Sequence, residues 1–497
     1  MARIPSQYMA GLTLERAGPT PLVEQIARHV EAAISEGALS PGGRLPSWRD
    51  LAAQLGVARG TVKAAYELLI DRQLLVAAGA AGTRVADPLP SPTRPPAADD
   101  ADLVTPDVRH EVDLPLVFRM GVPAHDAFPA TVWSRLHRQA VQQTSMLTGH
   151  LDPRGLPALR AALAAHVAIA RGVACSPDQV IVTTGFRASL ATALQAVGAA
   201  GGQAWVEDPG YPVARRALEL SGLHPVAVRV DGEGVDVAHG RNLAPRAALA
   251  FVTPGQQAPT GVVLSPRRRQ DLLRWAAEAG AWVIEDDYLG ELQLSGRSAP
   301  ALASSDHPGR VIHIGSFSKT LSPMLGVGFL VAPLPLAQRL IDIAVWLSAP
   351  PNAAVQLALA MFLREGHYLR HLRRMRQLYA RRRSRLVEVL GTLGAQGCGP
   401  AGLAVMLPLP HGFDDWRLAE RARAVGLAPA PLSPWFAAAS QLNAGLLLGV
   451  SNAVENRIVQ HCHRLLALIS EPAHAAGRSA GLLRPPSTRR PTIDGRD

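Results

Sequence analysis

The chain has 497 residues and carries 50 lysines and arginines, yet only two of these are lysine, Lys63 and Lys319. Arginine is effectively never deprotonated, whereas a lysine amine can lose its proton and form a Schiff base with a carbonyl. A chain that uses arginine for nearly every cation marks a retained lysine as a candidate for chemistry. Lys319 sits in IGSFSKTLSP (314–323), after a short apolar run and among the hydroxyls of Ser316, Ser318 and Thr320. Neighbouring hydroxyls suit a phosphate held beside the amine. Taken alone this pattern is weak, because SxSK occurs in many loops.

Three further segments strengthen it. AWVIEDDY (281–288) reads as a buried strand ending abruptly in acids and Tyr288. Ligands of α/β sheets bind at the carboxyl ends of strands, and a carboxylate there can pair with a protonated ring nitrogen. The alternative is a solvated strand end. VIVTTGFRASL (180–190) leads a strand through Thr184 and Gly185 into a helix, whose first free amides make an anion site. VEDPGYPVARRAL (206–218) places Tyr211 after a turn, where its ring can stack on a planar ligand.

The elements that must carry these residues follow from periodicity. Apolar runs (VIVTTG, QAWVED, AALAFVTP, AWVIEDD, VIHIGS, GVGFLVA) alternate with helical stretches such as 156–171 and 266–279. That alternation predicts an α/β domain with a largely parallel sheet, spanning 116–470. Upstream, Leu22, Ile26, Val30 and Ile34 fall at helical spacing. Ser47 caps a second short helix that Gly56 ends, and a third follows over 58–73 with Val62, Tyr66 and Leu69 inward. Residues 74–86 read as a β-hairpin. Helix, helix–turn–helix and hairpin outline a winged helix over 1–86. The Pro- and acid-rich segment 87–115 reads as an extended linker, and 471–497 as a disordered tail.

In a helix–turn–helix the second helix enters the major groove by its N-terminal end. Here that end offers Arg59 for guanine, with Thr61 and Lys63 for phosphate. Arg49 on the preceding helix can clamp the backbone, and Gly79 at the hairpin tip lets the wing approach a minor groove. Bulk charge adds little: residues 1–86 hold nine Lys and Arg against seven Asp and Glu, a net of +2, although the whole chain is +10. No run of about 18 apolar residues appears, so no membrane span is expected. The N-terminus lacks a signal-peptide pattern, and a cytoplasmic location is expected. Cys175, Cys398 and Cys462 are far apart and suit neither a disulfide framework nor zinc. The pair His461 and His463 on one helix diverges, so no metal site is expected. The arginine run 370–385 suits a long solvated helix or a dimer interface better than nucleic acid, with Leu369, Leu372, Leu378 and Leu386 on its apolar side.

PGGRLPSWRDLAAQLGVARGTVKAAYELLIDRQLLVAAGAAGTRVA resembles a GntR-type winged helix along its length. The segments around Tyr211, Asp286 and Lys319 resemble fold-type I aminotransferases in their order. Together they resemble MocR/GabR-type regulators over about 19–468. The resemblance implies DNA contacts from Arg49, Arg59, Thr61, Lys63 and Gly79, and pyridoxal 5′-phosphate (PLP) on Lys319. It implies that Asp286 faces the ring nitrogen, Tyr288 bonds the phenolic oxygen and Tyr211 stacks on the ring. Ser316 and the amides after Gly185, those of Phe186 and Arg187, would hold the phosphate. It further implies a homodimer, a double-stranded DNA operator and a small-molecule effector.

Four positions depart from the family pattern. Gly60 replaces a polar residue on the reading helix. Gly326 stands where an arginine, seven residues after the lysine, clamps the phosphate; Leu447 stands where an arginine grips a substrate carboxylate; Ala258 replaces an asparagine before the turn. Leu447 and Ala258 favour a PLP-dependent regulator without efficient turnover, whereas Gly326 favours a regulator that has lost PLP. A working aminotransferase with a DNA-binding appendage, and a regulator that has lost PLP, stay open.

Overall fold

The computed structural model describes residues 14–16, 18, 20–79, 82–87, 116–146, 149–294, 296, 298–437 and 444–470. The chain falls into two compact units, 1–111 and 112–497. Most of the expected linker (88–115) and the expected tail lie outside the described residues.

In the first unit, α1 (Leu22–Ser35) buries Ile26, Val30 and Ile34, one every turn. Leu22, expected to join them, is only partly buried. The Ser47 hydroxyl accepts the Asp50 N–H and starts α2 (Trp48–Leu55), which stops at Gly56 with φ +63°. The third helix, α3 (Arg59–Asp71), buries Val62, Ala65, Tyr66 and Leu69, and the Tyr66 hydroxyl donates to the Pro46 carbonyl at 3.0 Å. Strands β1 (Leu75–Ala77) and β2 (Thr83–Val85) pair antiparallel, bringing Leu75 and Val85 onto the same core. Each fully buried aliphatic side chain here contributes about 1.5–3 kcal/mol.

The second unit begins with α4 (Ala130–Thr144) and α5 (Pro157–Arg171). Then come β3 (Val180–Thr183), α6 (Phe186–Val197), β4 (Gln203–Asp208), α7 (Pro212–Leu220), β5 (His224–Asp231), β6 (Gly234–Val235), α8 (Val237–Leu243), β7 (Leu249–Val252), α9 (Pro266–Ala279), β8 (Trp282–Asp286), β9 (Val311–Ser316) and β10 (Gly328–Val331). Their sheet has the order β3-β10-β9-β8-β7-β4-β5-β6. All neighbours are parallel except at β10, antiparallel to both its partners, and at the edge strand β6. Alternate residues feed opposite faces: Ile284, Ile312 and Ile314 pack with α6 and α10 (Leu334–Leu347), whereas Val283 and Val311 pack with α9.

Two helices, α11 (Ala353–Arg364) and α12 (His367–Thr392), lead to a second, antiparallel sheet of order β11-β12-β14-β13. It contains β11 (Gly399–Ala401), β12 (Ala404–Pro408), β13 (Ala430–Pro431) and β14 (Gly445–Gly449), flanked by α13 (Asp415–Ala424) and α14 (Ile458–Ser470). Six of the eight strands of the large sheet match apolar runs read from the sequence. The second sheet, with β5 and β6, was not expected. The arginine-rich α12 is also less solvated than expected. It buries Tyr368, Leu372, Met375, Tyr379 and Leu386, while Leu369 is 41% exposed and Leu378 only partly buried. Arg382 is buried, donating to Asp126 at 2.6 Å and to the Ser451 carbonyl. Among the described residues no helix is long and apolar enough to cross a membrane, and no cluster of His, Cys, Asp or Glu could hold a metal.

Below the large sheet Arg171 grips Asp287 through two bonds, 2.6 and 3.0 Å, with both side chains almost wholly buried. Removing one partner of such a pair strands the other charge. Arg171→Met is expected to cost about 3–5 kcal/mol of unfolding free energy in urea titration. Arg28→Ala, which breaks the exposed pair with Glu24, is expected to cost under about 1 kcal/mol.

Candidate functional site

The carboxyl ends of β3, β8 and β9 open onto a cavity of about 460 Å³ within the second unit. Lys319, Asp286, Tyr288, Tyr211, Ser316, Gly185, Phe186 and Arg187 all line it. The sheet register explains the meeting. β8 and β9 pair with Asp286 opposite Ile314, so the acid at the end of β8 lies level with the last turn of chain before Lys319. Asp286 shares the face of Ile284, toward α6, whereas Glu285 points the other way and accepts the Leu302 and Ala303 amides.

Lys319 donates its amine to the Gly121 carbonyl at 2.8 Å. A Cβ at 121 would fall 2.6 Å from that nitrogen, a contact the flexible lysine could yield, and it is the φ of +73° at this position that favours glycine. Burial lowers the amine's pKa, with Asp286 acting against that fall. Burial raises the Asp286 carboxyl to about 8, helped by Asp287 and Glu207 and opposed by Lys319. One of its oxygens, Oδ1, is buried without any hydrogen-bond partner among the described residues. An orphaned acceptor at the floor of a cavity is the notable feature of the site, because buried polar atoms are otherwise almost always paired. Tyr288 is pushed far up by burial and by the same acid, which keeps its hydroxyl protonated.

Tyr211, at the start of α7, lies 5.8 Å from the Phe186 ring and 5.8 Å from the Trp435 ring. Trp435 was not singled out from the sequence. It is held by its own carbonyl, which accepts the Gly210 amide and the Arg215 guanidinium, both at 2.8 Å. At the other end, the Ser316 hydroxyl donates to Ser318 at 3.0 Å, and α6 begins at Gly185 without a side-chain cap, leaving its first amides free. Thr320, expected beside the ligand, faces away from the cavity. It is buried, and its hydroxyl and carbonyl meet Tyr368 at 3.1 Å and His371 at 2.7 Å. These two α12 residues, with Glu291 and His166 behind them, support the lysine loop from below and were missed. The only sequence trace of them was a helix dominated by arginines.

The departures are visible as surfaces. Ala258 and Gly326 both line the cavity. Leu447 is fully buried among Ala401, Ala404 and Leu432 and brings no charge. In the first unit Arg59 and Lys63 project from the first turns of α3, both exposed, with Lys63 3.5 Å from Glu67. Thr61 is partly buried, and Arg49 lies 4.8 Å over the Trp48 ring. Gly79 occupies the hairpin turn with φ +54°. Arg44, not singled out from the sequence, is exposed beside the wing and bridges Arg84.

Residues 22–85 match the family "Bacterial regulatory proteins, gntR family", and residues 117–421 match "Aminotransferase class I and II". The chain is similar to a probable rhizopine catabolism regulatory protein, MocR, of Rhizobium meliloti, 33% identical over 86% of this chain and 89% of that one. It is also similar to the pyridoxine biosynthesis transcriptional regulator PdxR of Corynebacterium glutamicum, 34% identical over 76% and 80%. Among solved structures, LysN of Thermus thermophilus is an α-aminoadipate aminotransferase complexed with N-(5′-phosphopyridoxyl)-L-leucine. It superposes with a TM-score of 0.63 at 27% identity, over 71% of this chain and 92% of that one. The chain belongs to the MocR-type GntR transcription regulators, DNA-binding proteins that join a winged helix to an aminotransferase-like domain.

Proposed function

We propose that this regulator holds PLP on Lys319 and changes its hold on operator DNA in response to PLP or to an amine or amino-acid-like effector. The orphaned Asp286 oxygen carries this reading, since it awaits an N–H donor in a cavity entered by the only lysine of its unit. The remaining lining fits the same group: Tyr211 offers a ring face, Tyr288 a hydroxyl, and Ser316 with the Phe186 and Arg187 amides a phosphate cup. When bound, PLP supplies an aldehyde for the amine and a ring that draws electrons once its nitrogen is protonated.

The chain's own groups set the conditions. Burial biases Lys319 toward its neutral, nucleophilic form, and the Gly121 carbonyl aims it. With a pKa of about 8, Asp286 keeps its proton at neutral pH until a ring nitrogen can share it. Leu447 offers no cation to an effector's carboxylate, so transamination of common amino acids is expected to be slow. The intact set of Lys319, Asp286, Tyr288 and Tyr211 favours the second reading, a working aminotransferase; rapid turnover with a keto acid would establish it. The regulator is read as a cytoplasmic homodimer, with Arg59 on guanine, Arg49, Thr61 and Lys63 on the backbone, and Gly79 bringing the wing close.

Operator affinity, measured on the full-length protein with and without PLP, tests the proposal. PLP is expected to shift it several-fold in the parent and not at all in Lys319→Ala. Arg59→Ala is expected to weaken operator binding about 10- to 100-fold in both conditions. An unchanged response to PLP in Lys319→Ala rules the coupling out.

A pH effect follows from Asp286. Its carboxyl holds a proton in the folded chain up to about pH 8, while the unfolded carboxyl releases it near pH 4. Stability of the PLP-free protein therefore falls as pH rises through that window, then levels off. Asp286→Asn removes this loss. Its melting temperature is expected to exceed the parent's by several degrees at pH 9 and to match it near pH 4, while PLP binding weakens about tenfold or more.

A further inference from the structure

The phosphate end of the cavity lacks a cation from the lysine loop. Gly326 lines it with φ +58°, and nothing lies within 4 Å of where its Cβ would project. Hydroxyls and amides alone would leave a phosphate without the charge-assisted bonds that usually dominate its binding. Another cation lines the same end: Arg187, the second residue of α6. Two contacts bring that helix start beside the loop. Gly328, two residues after Gly326, pairs with Thr183 on β3, and a Cβ on Gly328 would fall 2.8 Å from the Gly185 backbone.

The Arg187 side chain is exposed and makes no hydrogen bond or ion pair among the described residues. Its charge reaches across the cavity, favouring the neutral amine of Lys319 and the ionised form of Tyr211. The free first-turn amides of α6 and their dipole point to the same place as this guanidinium. The remaining lining arginine, Arg119, belongs to the segment against Gly449, on the side of the second sheet.

We propose that the Arg187 guanidinium is the phosphate clamp of this cavity, serving the group that Gly326 leaves without a cation. The inference rests on the reading of Lys319 as the PLP lysine and extends it to ligand choice: the cavity selects the phosphorylated form of its aldehyde through a side chain on α6.

PLP and pyridoxal share the ring and the aldehyde and differ only by the phosphate, so their titration separates the two ideas. Apparent Kd values come from the visible absorbance of the full-length protein. Arg187→Ala is expected to weaken PLP about 10- to 100-fold and pyridoxal by no more than about twofold, the share owed to the charge it places near Lys319. The clamp is overturned if Arg187→Ala binds PLP as tightly as the parent, or if it loses both ligands by the same factor. A parent protein that binds neither ligand overturns the reading of Lys319, and the clamp with it.

Discussion

The site turns on an acid and an amine placed in the same cavity with too few partners between them. Asp286 is buried with one oxygen unpaired, and Lys319 is satisfied by a single carbonyl. Desolvation pushes the acid up and the amine down, so each is drawn toward its neutral form. A structure keeps such groups only if its framework fixes them. Here the framework is the parallel register of β8 on β9, with a second layer of charge beneath it. Arg171 pairs Asp287, and His313 pairs Glu285 at 3.1 Å. The acids at 285 and 287 are thus neutralised by built-in partners, and the acid between them is left for a ligand.

That arrangement explains how an enzyme-like cavity serves a regulator. A ligand shifts a conformational equilibrium only by its difference in affinity for the two states. A ligand bonded to Lys319 and paired with Asp286 brings a large interaction energy to one fixed point, so small changes around it become large differences. Leu447 is buried and uncharged, where the resemblance would put an arginine that anchors an α-amino acid's carboxylate. On the proposed reading of Lys319, lysine chemistry beside an uncharged Leu447 suits sensing better than turnover.

Legibility in the sequence followed the range of the signals. The winged helix was readable because its cues are local: the Ser47 cap, the Gly56 stop, and apolar residues one turn apart on α1 and α3. The strands β3, β4, β7, β8, β9 and β10 were readable as apolar runs, since both faces of the sheet are covered. The second sheet was not, because its strands are as short as two residues and rich in Ala, Gly and Pro. Lys319 stood out through the rarity of lysine and Tyr211 through its place after a turn, but the assignments of Asp286 and Tyr288 came from resemblance. Thr320 was misread, since a hydroxyl two residues from Ser318 on a tight turn points the other way. Tyr368, His371 and Trp435 come from segments far along the chain, and nothing local in them announces the cavity they support.

Borohydride reduction of the full-length protein with PLP, followed by mass mapping of its peptides, addresses the central bond directly. The expected result is one phosphopyridoxyl group, on Lys319, that is lost in Lys319→Ala. Labelling confined to Lys63 or the N-terminal amine, or no labelling at all, would contradict it.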